Sequence, residues 1–95
     1  MADALSHAEL LRQRAAIDRV DAALVGLLAE RFQATRAIGA LKARTNLPSV
    51  DPTREAEQTA RLRALAADAG IDPDFVERLF RLIVTEVVAE HEAAR

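Results

Sequence analysis

Positions at alternating spacings of four and three residues run along the first half of the chain, and apolar residues hold half of them. This repeat starts at Leu10 and continues without a break as far as Lys42. Such a repeat is typical of a helix that packs along one seam against other helices. We therefore predict a helix over residues 8–44 with these seam positions: Leu10, Arg14, Ile17, Asp21, Leu24, Leu28, Arg31, Thr35, Ile38 and Lys42.

Two short segments interrupt the helical pattern, at residues 45–50 and 68–71. Each is followed by an Asp-Pro pair, Asp51-Pro52 and Asp72-Pro73. Aspartate is a preferred N-cap and proline is favoured at the first helical position, so both pairs indicate helix starts. Gly70 suits the left-handed conformation that commonly closes a helix. The chain is therefore divided into three helices.

These boundaries predict an all-α fold, with helices over residues 8–44, 52–68 and 73–93 in a single domain over residues 1–95. The first helix is too long for such a domain. At 1.5 Å per residue it spans roughly 55 Å, whereas a compact globule of this length has a radius of gyration of about 12 Å. Two shorter helices cannot cover its seam, but a second copy of the chain can. We predict an intertwined helical-bundle homodimer.

Composition narrows the functional classes. The chain has 95 residues, no cysteine, and only His7 and His91 as histidines, which excludes a disulfide scaffold and argues against zinc. The 13 basic and 15 acidic residues give a formal net charge of −2. We expect no nucleic-acid partner, no membrane partner, no metal and no cofactor. The N-terminal residues lack the basic and apolar segments of a signal peptide, so we expect a cytoplasmic protein.

Three cations occupy seam positions of the first helix: Arg14, Arg31 and Lys42. A buried charge costs several kcal/mol unless it is paired. One explanation is that these cations form structural ion pairs, or that their aliphatic chains extend to the edge of the bundle and place the charged ends in water. A binding pocket is the other, since Arg31 and Lys42 lie about 20° apart around the helix and roughly 16 Å apart along it. Arg14 lies about 25 Å from Arg31, so in an antiparallel dimer it would serve the other chain's pocket.

A second polar cluster, Asp51, Arg54 and Glu55, begins the second helix. One explanation of this cluster is local: an N-cap, an acid in the first turn and a surface ion pair. The alternative is that the start of the second helix faces the cation pocket. His91 ends the apolar stripe of the third helix and is either a surface histidine near a helix end or a pocket residue. The other members of that stripe are Val76, Phe80, Ile83 and Val87.

The residues together predict a pocket of three cations, one or two acids and a histidine. Gly39 either allows close helix packing or leaves room for a ligand beside Lys42. The sequence contains no cysteine nucleophile, glycine-rich phosphate loop or metal motif. Such a pocket suits a small dicarboxylate with hydroxyl groups, but the residues alone do not identify a reaction.

Five short segments follow one another along the chain in a characteristic order and spacing. They are Leu11-Arg12-x-Arg14-x-x-Ile17-Asp18-x-x-Asp21, Leu27-Leu28-Ala29-Glu30-Arg31, Ile38-Gly39-x-x-Lys42, Asp51-Pro52-x-Arg54-Glu55 and Leu79-Phe80-x-x-Ile83. In this order and spacing the chain resembles the all-α chorismate mutase family, from about Leu10 to His91. The resemblance implies the Claisen rearrangement of chorismate to prephenate, a step toward phenylalanine and tyrosine, with no covalent intermediate and no cofactor.

The resemblance also implies a role for the polar residues. Arg31 and the partner's Arg14 would hold the two substrate carboxylates, which suits the planar fork of arginine. Lys42 would donate to the ether oxygen, where negative charge develops. Glu55 would accept from the ring hydroxyl, assisted by Asp51. The homodimer would then contain two active sites, each built from both chains.

Three further positions complete the comparison with the family. Arg54 would add positive charge near a carboxylate. Val87 stands where the family often has a hydroxyl residue that donates to the ring carboxylate, and valine cannot donate. His91 stands where the family usually has Gln or Glu beside the ether oxygen. These departures affect the third helix and leave the implied fold unchanged.

Two other functions compete with the mutase. An isochorismate–pyruvate lyase of salicylate synthesis has the same fold and the same Arg14, Arg31 and Lys42 framework, and an apolar Val87 would suit it. The complete Asp51-Pro52-x-Arg54-Glu55 segment favours the mutase instead. A non-catalytic helical dimerisation module would explain the long first helix but not three cations on its seam.

Overall fold

Three helices make up almost all of the computed structural model, which describes residues 2–47 and 51–93. They are α1 (Ala2–Thr45), α2 (Pro52–Ala69) and α3 (Pro73–Ala93). The all-α prediction is confirmed, and the described residues contain no strand. Helix α1 begins six residues before the predicted start at residue 8, because the N-terminal residues, rich in alanine, continue the helix.

Helix α1 ends in a left-handed cap that the sequence analysis did not predict. Asn46 has a φ of 57°, and the Leu47 amide donates to the Lys42 carbonyl at 3.2 Å. This is the bond of a Schellman motif, which satisfies a carbonyl that the helix leaves without a partner. The loop predicted over residues 45–50 begins one residue later, and residues 48–50 lie outside the described part.

The ends of α2 and α3 follow the predicted capping residues. The Asp51 carboxylate accepts from the Arg54 amide at 3.2 Å and caps α2. Gly70 closes α2 in the left-handed conformation, with a φ of 75°. The Asp72 carboxylate accepts from the Asp74 amide at 2.9 Å and begins α3. Both Asp-Pro pairs and the glycine therefore act as the sequence indicates.

The chain divides into two compact units, Met1–Ala34 and Thr35–Arg95. The first unit is the N-terminal part of α1, and none of its described residues is buried. The second contains the end of α1 together with α2 and α3, and its buried core among the described residues is Ala66 and Ile83. So small a core leaves most large apolar side chains of α1 exposed: Leu5, Leu10, Leu11, Ile17, Val20, Leu24, Val25, Leu27, Ile38 and Leu41.

The predicted packing faces of α2 and α3 differ in accuracy. On α3 the stripe is confirmed, with Ile83 buried and the others half-buried: Val76, Phe80, Val87 and His91. On α2 the sequence spacing predicts a face of Glu55, Leu62, Leu65 and Ala69. This prediction is wrong in part, because Leu65 is 50% exposed while the neighbouring Ala66 is 4% exposed. A small alanine lets the two helix backbones approach closely, and the leucine is turned outward as a result.

Surface ion pairs connect α3 to the helices on either side of it. Arg63 of α2 donates to Asp74 at 2.8 Å and to Glu77 at 3.2 Å, and Arg81 also binds Glu77. These contacts lie on the packed pair of helices α2 and α3, which we call the hairpin. Because the participating side chains are partly exposed, each contributes little stability and the group mainly fixes the alignment of the two helices.

A further ion pair joins α1 to the end of α3. The Arg36 guanidinium binds Glu90 through both carboxylate oxygens, with Nη2 3.1 Å from Oε2. This hydrogen bond lowers the pKa of Glu90 below its ordinary value of 4.5. The carboxylate therefore stays charged at pH values where an unpaired glutamate begins to protonate.

We predict that Ile83→Ala lowers the free energy of unfolding by about 2–5 kcal/mol, because it leaves a cavity in the only apolar core of the hairpin. Denaturant unfolding followed by circular dichroism at fixed protein concentration measures the change. Glu86→Ala, at an exposed position one turn away, is the control and should have little effect. Equal losses from the two variants would contradict this packing.

We predict that the stabilising effect of Glu90 disappears in acid. The pKa of Glu90 is lower in the folded chain than the unfolded value of 4.5, so its contribution is present above pH 4.5 and is lost as the pH falls through the lowered value. The difference in Tm between wild type and Glu90→Gln should therefore be constant near neutral pH and shrink below pH 4.5. Glu86→Gln is the control, and a difference that grows in acid would reject the ion pair.

Candidate functional site

The first candidate site is a groove between the end of α1 and the end of α3, which we call the lysine groove. Lys42, in the last turn of α1, and His91, in the last turn of α3, both line it. It has a volume of about 990 Å³ and is open to solvent. The other described residues in its lining are Arg36, Ile38, Gly39, Ala40, Ala43, Asn46, Leu47 and Glu90.

The imidazole of His91 packs directly on Gly39. A Cβ atom added to Gly39 would lie 3.0 Å from both Cε1 and Nε2 of the ring. The sequence predicted either close packing of helices or space for a ligand at this glycine. The space beside Gly39 is occupied by the His91 side chain, and the described backbones of α1 and α3 do not approach closely, so the close-packing explanation is wrong.

The second candidate site is a smaller groove between α2 and α3, which we call the hairpin groove. Its volume is about 190 Å³, and Glu55 is one of its lining residues. The other lining residues are Gln58, Thr59, Leu62, Glu77, Phe80, Arg81 and Val84. Glu55 is in the first turn of α2, where a negative charge is favoured by the helix dipole. The lining of this groove combines apolar side chains with polar and charged ones.

The other predicted site residues lie outside these two linings. Asp51 and Arg54 are exposed at the start of α2, and Asp51 acts there as the N-cap. Val87 is half-buried on α3, one turn before His91. Arg14, which is exposed, and Arg31, which is half-buried, belong to the first unit of the chain. The structure thus brings Lys42 together with His91 and leaves Glu55 in a separate groove.

The lysine groove offers chemistry that suits an anionic ligand with an oxygen acceptor. The Lys42 ammonium supplies positive charge and up to three hydrogen-bond donors. His91 supplies a ring nitrogen that donates or accepts according to its tautomer. No group of three or more metal-ligating side chains occurs within residues 2–47 and 51–93. Among the described residues that line the groove there is no cysteine or serine.

Sequence reasoning missed the Arg36–Glu90 ion pair at the edge of the lysine groove. These residues are 54 positions apart and belong to no motif or shared periodic face. Only the meeting of α1 with α3 brings them together, so no local pattern could have indicated the pair. The Asn46 cap was detectable, because asparagine tolerates the left-handed conformation and Pro48 follows two residues later.

The length and hydropathy of the helices bear on whether any of them could cross a membrane. Of the helices in the described part of the chain, none combines the length and the apolar character that crossing a membrane requires.

Comparison with known proteins agrees with the fold and with the segments already described. The chorismate mutase type II model matches residues 13–92. The chain is 40% identical over 79 residues to the T-protein of Enterobacter agglomerans, which covers 83% of this chain and 21% of that protein. It is 38% identical over 73 residues to the 4-amino-4-deoxychorismate mutase of Streptomyces pristinaespiralis, covering 77% of this chain and 57% of that enzyme.

A third relative is the bifunctional chorismate mutase/prephenate dehydratase of Escherichia coli (strain K12). It is 33% identical over 88 residues, covering 93% of this chain and 23% of that enzyme. The chain therefore spans about a fifth of the T-protein and of the bifunctional enzyme, and just over half of the Streptomyces mutase. The family match covers most of the helical region, from α1 to the last turn of α3, and so the chain belongs to the chorismate mutase type II family.

Proposed function

We propose that this chain is a cytoplasmic chorismate mutase that rearranges chorismate to prephenate in phenylalanine and tyrosine biosynthesis. Membership of the type II family supports this most strongly, since the match includes every proposed site residue. The shared groove of Lys42 and His91 adds to it. Residues 1–95 would form one catalytic domain, and no cofactor or metal is needed.

The reaction requires conformational control and charge stabilisation from the protein. In chorismate one C–O bond of the ether breaks while a C–C bond forms within the same molecule, so no proton or group passes to the enzyme. Negative charge grows on the ether oxygen as the bond breaks. The Lys42 ammonium would donate to that oxygen, and His91 would complete the contact.

Arginines would fix the substrate in its compact conformer. Arg31 and the partner's Arg14 would each hold one carboxylate through two parallel hydrogen bonds. Arg54 would add positive charge nearby. Glu55 would accept from the ring hydroxyl with help from Asp51, which requires the hairpin groove to open toward the same ligand.

A homodimer with shared active sites is part of the proposal. Ten large apolar side chains of α1 are exposed in one chain, with exposed fractions from 45% to 68%. An apolar surface of this extent on a single helix is typical of an interface. A second copy is the occupant that we propose, because its own α1 offers a matching apolar seam and would bring the partner's Arg14 to the site.

One observation favours a second substrate. Two of the relatives are named 4-amino-4-deoxychorismate mutases, at 38% and 33% identity. This compound has an amino group where chorismate has its ring hydroxyl. A carboxylate such as Glu55 can accept a hydrogen bond from either group, so both substrates fit the proposed role of that residue.

We predict that the purified protein converts chorismate to prephenate and that Lys42→Ala removes nearly all turnover while the helices stay intact. The lysine faces charge that grows only in the transition state, so the loss should fall on kcat. One such donor is worth about 3–4 kcal/mol, a decrease of about 10²–10³-fold. Loss of the diene absorbance of chorismate measures the rate, and circular dichroism monitors the fold.

Arg44→Ala provides the control, since it removes an exposed cation from the same last turn of α1. It should leave kcat within a few-fold of wild type. Parallel assays with 4-amino-4-deoxychorismate and isochorismate test the second mutase substrate and the lyase alternative. The lyase is included because an apolar Val87 would suit it. Turnover of none of the three would reject the enzyme and favour the dimerisation module.

We predict that mixing Arg14→Ala with Arg31→Ala protein restores activity. If Arg14 serves the partner's site, a mixed dimer has one site with both arginines and one with neither. Random exchange would then give about a quarter of the wild-type number of sites. Mixing Arg31→Ala with Lys42→Ala is the matched control and should restore nothing, because those residues serve one chain's site. Equal results from the two mixtures would contradict the shared site.

A further inference from the structure

The His91 ring rests in a notch that exists only because residue 39 lacks a side chain. Cε1 and Nε2 would each lie 3.0 Å from a Cβ at this position, and Cδ2 would lie 3.6 Å away. A contact of 3.0 Å is tighter than nine in ten of those that real Cβ atoms make. Any residue larger than glycine would therefore require the imidazole to shift by at least a few tenths of an ångström.

The ring is not held in this notch by a hydrogen bond from Nε2. That atom is shielded from solvent and has no hydrogen-bond partner among the described residues. A buried polar atom without a partner costs free energy, so Nε2 itself opposes this position. Other contacts must hold the end of α3 against α1.

The Arg36–Glu90 ion pair supplies such a contact. Arg36 lies one turn before Gly39 on α1, and Glu90 is next to His91 on α3. The guanidinium fork binds both carboxylate oxygens, which restricts distance and orientation together. The pair therefore joins the same two backbone segments that meet at the notch.

We propose that Gly39 and the Arg36–Glu90 pair are positioning residues that hold His91 in the lysine groove. Gly39 admits the ring, and the ion pair keeps the last turn of α3 beside it. Lys42 follows Gly39 by three residues and lines the same groove, so the arrangement keeps the imidazole in the groove that the lysine lines. The effect on catalysis rests on the proposed mutase function, whereas the position of the ring does not.

The ring position can be tested in the ligand-free protein by nuclear magnetic resonance. His7 and His91 are the only histidines, so a His7→Asn background leaves one imidazole signal. A nuclear Overhauser effect should connect the His91 Hε1 proton to the Gly39 Hα protons. Glu90→Gln should weaken it, and the charge exchange Arg36→Glu with Glu90→Arg should restore it. Glu9→Gln, which removes the exposed Glu9–Arg12 pair in the first unit, should leave it unchanged.

Kinetics test the consequence for the reaction. Gly39→Ala and Glu90→Gln should each lower kcat by about ten- to hundredfold with little change in KM, since misplacing a group that acts in the transition state has that signature. In a His91→Ala background, Gly39→Ala should cause no further loss, because the ring that it displaces is gone. The charge exchange should recover most of the kcat lost in Glu90→Gln.

The outcomes separate this inference from the proposed function. Absence of the Overhauser effect in wild type, or its persistence in Glu90→Gln, would overturn the role of the ion pair whatever the activity. A normal kcat in Gly39→Ala, or a further loss from it in the His91→Ala background, would overturn the role of the notch. An inactive wild type with the expected Overhauser pattern would reject the mutase function and retain the positioning of the ring.

Discussion

Burial of apolar surface is the constraint on which this structure depends. Within residues 35–95 the described core consists of Ala66 and Ile83, whereas α1 exposes large apolar side chains along its whole length. Local interactions compensate in part, since all four described caps around the α1–α2 and α2–α3 connections are satisfied by aspartate, asparagine or glycine. Caps and surface ion pairs align helices, but they do not replace a core.

The proposed dimer follows from the same need to bury apolar surface. Its interface would also form the active sites. If the α1 seam contained only apolar residues, packing against a second copy of the chain would be enough to bury it. Here the seam also contains Arg14, Arg31 and Lys42, whose charges would be costly in a dry interface. A shared dianionic substrate would bind those charges directly, so that their place on the seam would serve binding and catalysis.

The sequence was sufficient for the parts of the structure that local chemistry controls. Asp51, Gly70 and Asp72 determined helix ends because each satisfies backbone groups within a few residues of itself. The α3 stripe was predictable because one helix face repeats every three to four residues. The α2 face was predicted less well, since Leu65 and Ala66 differ by one position and only the approach of α3 decides between them. The contact of His91 with Gly39 could not be predicted, because it depends on the meeting of two segments that share no pattern.

The C-terminal ends of α1 and α2 differ in the steric cost of the residue that caps them. Gly70 takes up the left-handed conformation at no steric cost. Asn46 adopts it with a side chain, at a cost below the roughly 1 kcal/mol of an ordinary L-residue, because asparagine tolerates this conformation. Opening the last turn of α1 relieves that strain, and so this turn should exchange its amide hydrogens sooner than the end of α2. Lys42 stands in the same turn. Its ammonium is thus attached to the more easily loosened of the two helix ends, and a bound anion that draws it inward would also slow the fraying of α1.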